Sequence, residues 1–286
     1  MKLATFELKG RAVTGCVDQD RLVALPARDA RQDLAAWAMQ SPERVQAAVQ
    51  QARSDAANVV SWSQARLLPA VPAPGKIVCL GLNYADHAAE GGHAKPEYPS
   101  FFMRGATSLA AHNAPIVRPL VSDKFDYEAE LAVIVGRRAR HLTPQNALQA
   151  VAGYTCFNDG SLRDYQKRTS QWTVGKNFDT TGPLGPWVVP AAELPPGATG
   201  LKIQSRLNGE VMQSSNTSLM LTSVVDALCL LSEVMTLEPG DVIAMGTPSG
   251  VGYARKPPVF MKAGDRIEIE IEGIGLLSNP IVQEAA

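Results

Sequence analysis

The sequence predicts an α+β chain that is mostly β, and three observations carry this. Short runs alternating apolar and polar residues recur along most of its 286 residues. Helical periodicity is confined to a few stretches, and those are too few and too irregularly placed for a doubly wound parallel sheet. Lys2 to Leu8, Ala12 to Val17 and Leu22 to Leu25 read as three strands of a small antiparallel sheet, with Lys9-Gly10 and Asp18-Gln19-Asp20 as turns. Ala30 to Val60 reads as two helices. Ser41 caps the second, Pro42 fits its first turn, and Val45, Ala48, Val49 and Ala52 recur at i, i+3, i+4 and i+7.

Pro69, Pro72, Pro74 and Gly75 then punctuate the chain. Proline disfavours both helix interiors and central strands, so a linker near residues 65–75 is expected. It divides a small N-terminal α/β domain, residues 1–70, from a catalytic domain, residues 71–286. Beyond it, strands are predicted over Ile77 to Gly81, Phe101 to Met103, Tyr127 to Val135, Gly153 to Asn158, Gly185 to Val189, Lys202 to Leu207, Val242 to Met245 and Arg266 to Ile271. Helices fit Ala85 to Glu90, Pro144 to Ala150 and Ser223 to Val234.

With 27 Lys plus Arg against 28 Asp plus Glu, the chain offers no basic face for nucleic acid or an anionic membrane. Cys16, Cys79, Cys156 and Cys229 lie too far apart for a C-x-x-C clip, and read as reduced, packed thiols of a cytoplasmic protein. MKLATFELKG lacks the apolar core of a signal peptide. The most apolar later stretch, Leu219 to Val234, is interrupted by Asp226 and Glu233, so no membrane span is expected.

The chemistry concentrates at Phe125-Asp126-Tyr127-Glu128-Ala129-Glu130, which runs into the apolar Leu131 to Val135. Side chains at i and i+2 of a strand share a face, roughly 6.6 Å apart, so Glu128 and Glu130 converge. Such a pair repels itself unless a cation sits between. Alone, E-x-E reads as a solvated strand face. Asp159, just past another apolar strand, adds a third carboxylate and turns the set toward a hard divalent ion. Asp126 shares the parity of the pair, which leaves it a ligand, a supporting group or a turn residue.

These motifs resemble the fumarylacetoacetate hydrolase family, in its acylpyruvase-like, two-domain branch. The resemblance runs from Lys76 to the C-terminus through Gly81-Leu82-Asn83-Tyr84 with His87 and Glu90, Phe125 to Glu130, Asn158 to Gln166, Gly175 to Pro186, and Gly240-Asp241-Val242 leading to Gly246 to Gly252. It implies a C-terminal mixed β-sandwich roll of fumarylacetoacetate hydrolase type, a homodimer, and Mg2+ or Mn2+ held by Glu128, Glu130 and Asp159. His87 and Glu90, three apart on a short helix, resemble a water-activating dyad. The Gly91-Gly92 segment beside it reads as a lid. The resemblance also implies that Lys176 meets a developing oxyanion, that Gln166 contacts water or substrate, and that Arg104, Arg163 and Thr247 bind substrate. His93, His112 and His141 lack a partner pattern and read as structural or exposed.

Gly246 to Gly252 lacks the ending of a phosphate loop, and Ser161 lies outside a G-x-S-x-G elbow, so neither a nucleotide site nor a serine hydrolase is expected. The first expectation is hydrolysis of a carbon–carbon bond in a β-diketo acid of acylpyruvate or fumarylpyruvate type. The alternative is an oxaloacetate decarboxylase, or a 2-keto acid hydratase or isomerase, working through the same enolate. A silent binding protein is disfavoured by the intact carboxylates and dyad.

Overall fold

Alternation marks the outer layer of this fold, and its loss marks the centre. In Arg266–Ile271 the isoleucines 267, 269 and 271 are buried while the glutamates between them are half-buried, the pattern of a strand with one face on the core. In Ala129–Val135 and Val151–Asn158 every residue is buried, because both faces are covered. Leu131, Val133 and Val135 enter one core cluster, whereas Ala132 and Ile134 enter another.

The computed structural model describes residues 1–27, 33–90 and 98–285, the side chains of residues 87–89 excepted. Among the described residues the largest sheet has eleven strands. Its main path runs Val59–Ser61, Arg21–Ala24, Arg11–Asp18, Leu3–Leu8, Gly182–Pro190, Val151–Asn158, Ala129–Val135, Val242–Ala244, Ile77–Gly81 and Ser100–Arg104. A five-stranded sheet, ordered Glu210–Asn216, Lys202–Leu207, Arg266–Ile271, Gly275–Gln283 and Ile116–Arg118, closes over the first core together with the helix Val224–Val234.

The helices Asp33–Ala38 and Pro42–Arg53 cover the opposite face through Leu34, Trp37, Val45 and Val49, each side chain contributing about 1.5–3 kcal/mol of burial. The N-terminal strands extend the same large sheet, Leu3 pairing with Val188. Around the proline-rich stretch, the Thr5 hydroxyl donates to Ala70 O and Ala70 N–H donates to Leu184 O.

Ile77–Gly81, Lys202–Leu207, Arg266–Ile271 and the helix Ala85–Glu90 lie where the periodicity predicts them. Ser41 caps the helix that begins at Pro42, accepting from Arg44 N–H. Where a helix is expected over 144–150, the structure has only a 3-10 turn, Ala147–Ala150. Val59–Ser61 is a strand beside Arg21–Ala24 rather than a helix end. Glu210–Asn216 and Gly275–Gln283 are strands whose polar or Gly/Pro-containing sequences hide the pattern. The four cysteines are free thiols. No described helix is long and apolar enough to cross a membrane.

Candidate active site

The antiparallel register of Ala129–Val135 with Val151–Asn158 builds the centre of the site. Ala129 faces Asn158 and Glu130 faces Phe157, which carries Asp159 to a place opposite Glu128. Two bonds fix that corner: Glu128 N–H donates to Asn158 Oδ1 at 2.9 Å, and Asp159 N–H donates to Glu128 O at 3.0 Å. Glu128, Glu130 and Asp159 are all buried, and one oxygen from each lies within 4.8 Å of the others. Burial first, then Asp159 and Glu128, pushes the Glu130 carboxyl well above the usual carboxylate range. Glu130 Oε2 accepts Gly246 N–H at 2.9 Å; Gly246 has φ +85° and lies against Asn83, where a Cβ would clash.

Three cations surround these carboxylates. Lys176 Nζ lies 2.5 Å from Asp159 Oδ2 and 2.6 Å from Glu128 Oε2. Burial alone would lower its pKa, but Asp159 and Glu128 outweigh it and the ammonium is held above the ordinary lysine range. The short helix Thr173–Lys176 reaches this depth because Gly175 abuts the backbone of Gln166, where a Cβ would lie 2.5 Å from the amide nitrogen.

Arg163 donates from Nε to Asp126 and from Nη1 to Gln166 Oε1, both at 2.8 Å, and pairs with Glu128 Oε1 at 2.7 Å. Arg104 lies behind Asp159, 2.5 Å from Oδ1, and also donates to Ser108 Oγ, Gly160 O and Thr181 Oγ1. Counting Asp126, four buried carboxylates face three cations. The all-oxygen donor set fits a hard divalent cation.

A cavity of about 430 Å³ opens over this centre. Its polar wall carries Lys176, Arg163, Gln166, Thr247 and Tyr253; Leu80, Phe102 and Trp172 make its apolar side. The structure thus brings the metal set, Lys176, Gln166, Arg163 and Thr247 together. Arg104, expected at the substrate's acidic tail, lies outside the cavity lining, its buried guanidinium facing Asp159, Ser108, Gly160 O and Thr181. Arg163 lines the cavity, but its three nitrogens face Asp126, Gln166 and Glu128 rather than a substrate's distal end.

Glu90 ends its helix against the glycine-rich segment, both carboxylate oxygens accepting Gly250 N–H at 3.0 and 3.1 Å, while Asp86 accepts the Ser249 hydroxyl. The His87 side chain and the expected lid after Glu90 lie outside the described residues.

Phe102, Trp172, Tyr253 and Gln213 escaped the sequence reading. Phe102 had a signal, since it shares the strand parity of Arg104 and so turns toward Lys176, whose Nζ sits 5.0 Å from its ring. Trp172 stacks edge-on against Phe102 and fills the space that the missing side chain of Gly81 leaves. Tyr253 lies between the Arg163 and Lys167 cations at 4.5 and 4.6 Å, an arrangement that no local pattern announces.

Three buried carboxylates around a captive ammonium form an all-oxygen set that could hold a divalent cation. Residues 76–282 match the family model described as fumarylacetoacetate (FAA) hydrolase C-terminal. A Homo sapiens protein named as a mitochondrial oxaloacetate tautomerase is 42% identical over 226 residues, 78% of this chain and 72% of its own. Among solved structures, a 5-carboxymethyl-2-hydroxymuconate delta-isomerase from Mycobacterium smegmatis superposes with a TM-score of 0.80 at 31% identity, covering 99% of this chain and 100% of that one. A fumarylacetoacetate hydrolase from psychrophilic Exiguobacterium antarcticum gives 0.77 at 37% identity with the same coverage. This chain belongs to the fumarylacetoacetate hydrolase family.

Proposed function

We propose that the chain catalyses keto–enol tautomerisation of a short 2-keto dicarboxylate of the oxaloacetate type. The observation that supports this best is Lys176, whose Nζ bonds to Asp159 and Glu128 and faces the cavity. Two of its three N–H groups serve the carboxylates, and the third remains for the ligand. A base, the expected His87–Glu90 dyad, takes the C3 proton, and the enolate's 2-oxygen is then protonated to give the enol. Because the Lys176 ammonium keeps its own proton, it acts on that oxygen as a fixed donor and lowers the cost of the negative charge that develops in between. Thr247 and the Gln166 amide orient the carboxylates of the substrate, and Phe102 with Trp172 keeps water from the enolate. Mg2+ or Mn2+ on Glu128, Glu130 and Asp159 supplies, when bound, further positive charge for the same anion. The similarity to proteins named oxaloacetate tautomerases supports this reaction ahead of hydrolysis.

Hydrolysis of an acylpyruvate is the second reading, and the docking of Glu90 on Gly250 favours it, since that contact holds the dyad helix against the loop that carries Thr247. The two are separated by following ketonisation of enol-oxaloacetate and cleavage of a panel of acylpyruvates with Mg2+ present. The wild type is expected to have the higher kcat/KM for ketonisation, and Glu90→Gln to slow any acylpyruvate cleavage by roughly 100-fold. Faster cleavage of an acylpyruvate than ketonisation would reverse the order of the two readings. The homodimer that the resemblance implies belongs to the same proposal, and light scattering checks it.

A further inference from the structure

Gln213 lies behind the cavity on the strand Glu210–Asn216, almost wholly buried and outside the cavity lining. All four capacities of its amide are used. Oε1 accepts Ala129 N–H at 3.0 Å and the Ser205 hydroxyl at 2.9 Å; Nε2 donates to Thr247 Oγ1 and to Pro248 O, both at 2.8 Å. Ala129 N–H can only donate and the Pro248 carbonyl can only accept, so the amide has one possible orientation. Thr247 Oγ1 is therefore an acceptor toward Gln213, and its own hydrogen is left over. Among the described residues that hydroxyl has no other partner, and Thr247 lines the cavity. Gln166 is polarised alike: its Oε1 accepts from Arg163, which leaves its NH2 group for the ligand.

We propose that Gln213 is a positioning residue that fixes the Thr247 hydroxyl as a donor into the cavity, so that the site selects ligands presenting acceptor-only carboxylate oxygens there. The inference rests on the proposed function for the identity of the substrate, but the polarity argument concerns binding alone. Gln213→Glu reverses the polarity: the new carboxylate accepts from Thr247, whose hydrogen is then withdrawn from the ligand. Gln213→Met frees the hydroxyl to rotate without adding a buried charge.

The test is a double-mutant cycle over Gln213→Glu and Thr247→Val, with Gln213→Met as the second route and Thr247→Ser as rescue. Calorimetric Kd for oxalate with Mg2+-loaded protein, and KM and kcat for enol-oxaloacetate, are measured in parallel. Each single variant is expected to weaken oxalate by about tenfold, the scale of one hydrogen bond to a charged group, with the loss falling on KM more than on kcat. The double variant should be no weaker than either single, and Thr247→Ser should restore affinity. Full additivity of the two substitutions, or unchanged oxalate binding in Thr247→Val, would overturn the proposal. If ketonisation is absent while the binding cycle behaves as expected, the tautomerase reading fails and the role of Gln213 stands.

Discussion

Replacing Asp126 by Asn tests whether one buried carboxylate holds two walls of the site together. Asp126 is fully buried and accepts four hydrogen bonds. Oδ1 takes Tyr127 N–H at 2.9 Å and Gly252 N–H at 2.7 Å; Oδ2 takes Tyr253 N–H at 3.0 Å and Arg163 Nε–H at 2.8 Å. An asparagine has one carbonyl oxygen, so whichever way its amide turns, the NH2 group meets two N–H donors. Two accepted bonds are lost, and the buried Arg163 cation loses an anionic partner. A neutral bond contributes about 1 kcal/mol and one to a charged group about 1.5–3 kcal/mol. With the cost of a cation left undercompensated, the expected loss is about 3–5 kcal/mol. Urea unfolding followed by tryptophan fluorescence measures it as a lower midpoint at unchanged slope. Asp123→Asn is the control, because Asp123 is 92% exposed beside Arg118 and should cost less than about 1 kcal/mol. If Asp126→Asn costs no more than that control, the bracing argument is refuted.

Glu130→Gln should weaken Mn2+ binding at least about tenfold, read by calorimetry or by the Mn2+ resonance signal, and full activity after exhaustive chelation would contradict the metal reading. His112 supplies a pH test away from the site. Burial first, and Arg266 second, pushes its pKa down to about 4, and its Nδ1 accepts Ser278 N–H, a bond that protonation abolishes. The unfolded chain, near pKa 6.5, then binds the extra proton. Stability from this group is full above pH 6.5 and falls as the pH drops toward 4, by roughly 2–3 kcal/mol allowing for partial exposure. Unfolding midpoints across that window should decline less in His112→Gln, and equal slopes in the two proteins would refute the assignment.

The sequence by itself determined what depends on near neighbours. The isoleucine alternation at 267, 269 and 271, the capped start at Ser41-Pro42 and the shared parity of Glu128 with Glu130 are all local, because a strand repeats every two residues and a helix every 3.6. Asp159, a third carboxylate just past another apolar strand, joined the Glu128–Glu130 pair by the same local reading, and the family resemblance pointed to Lys176. Tertiary structure decided what depends on register and direction over long separations. The pairing of Leu3 with Val188 carries one sheet across the proline-rich stretch, and no local pattern encodes that partner. The turn of Arg104 behind Asp159 was likewise hidden: a basic residue near a carboxylate site suits a substrate or a ligand brace equally, until burial shows which oxygens it meets. Gln213 is one polar residue in a stretch, Glu210–Asn216, whose strand the sequence pattern does not show. Only the fold brings its amide between Ala129 and Thr247, where hydrogen-bond complementarity in a dry interior settles which way every proton points.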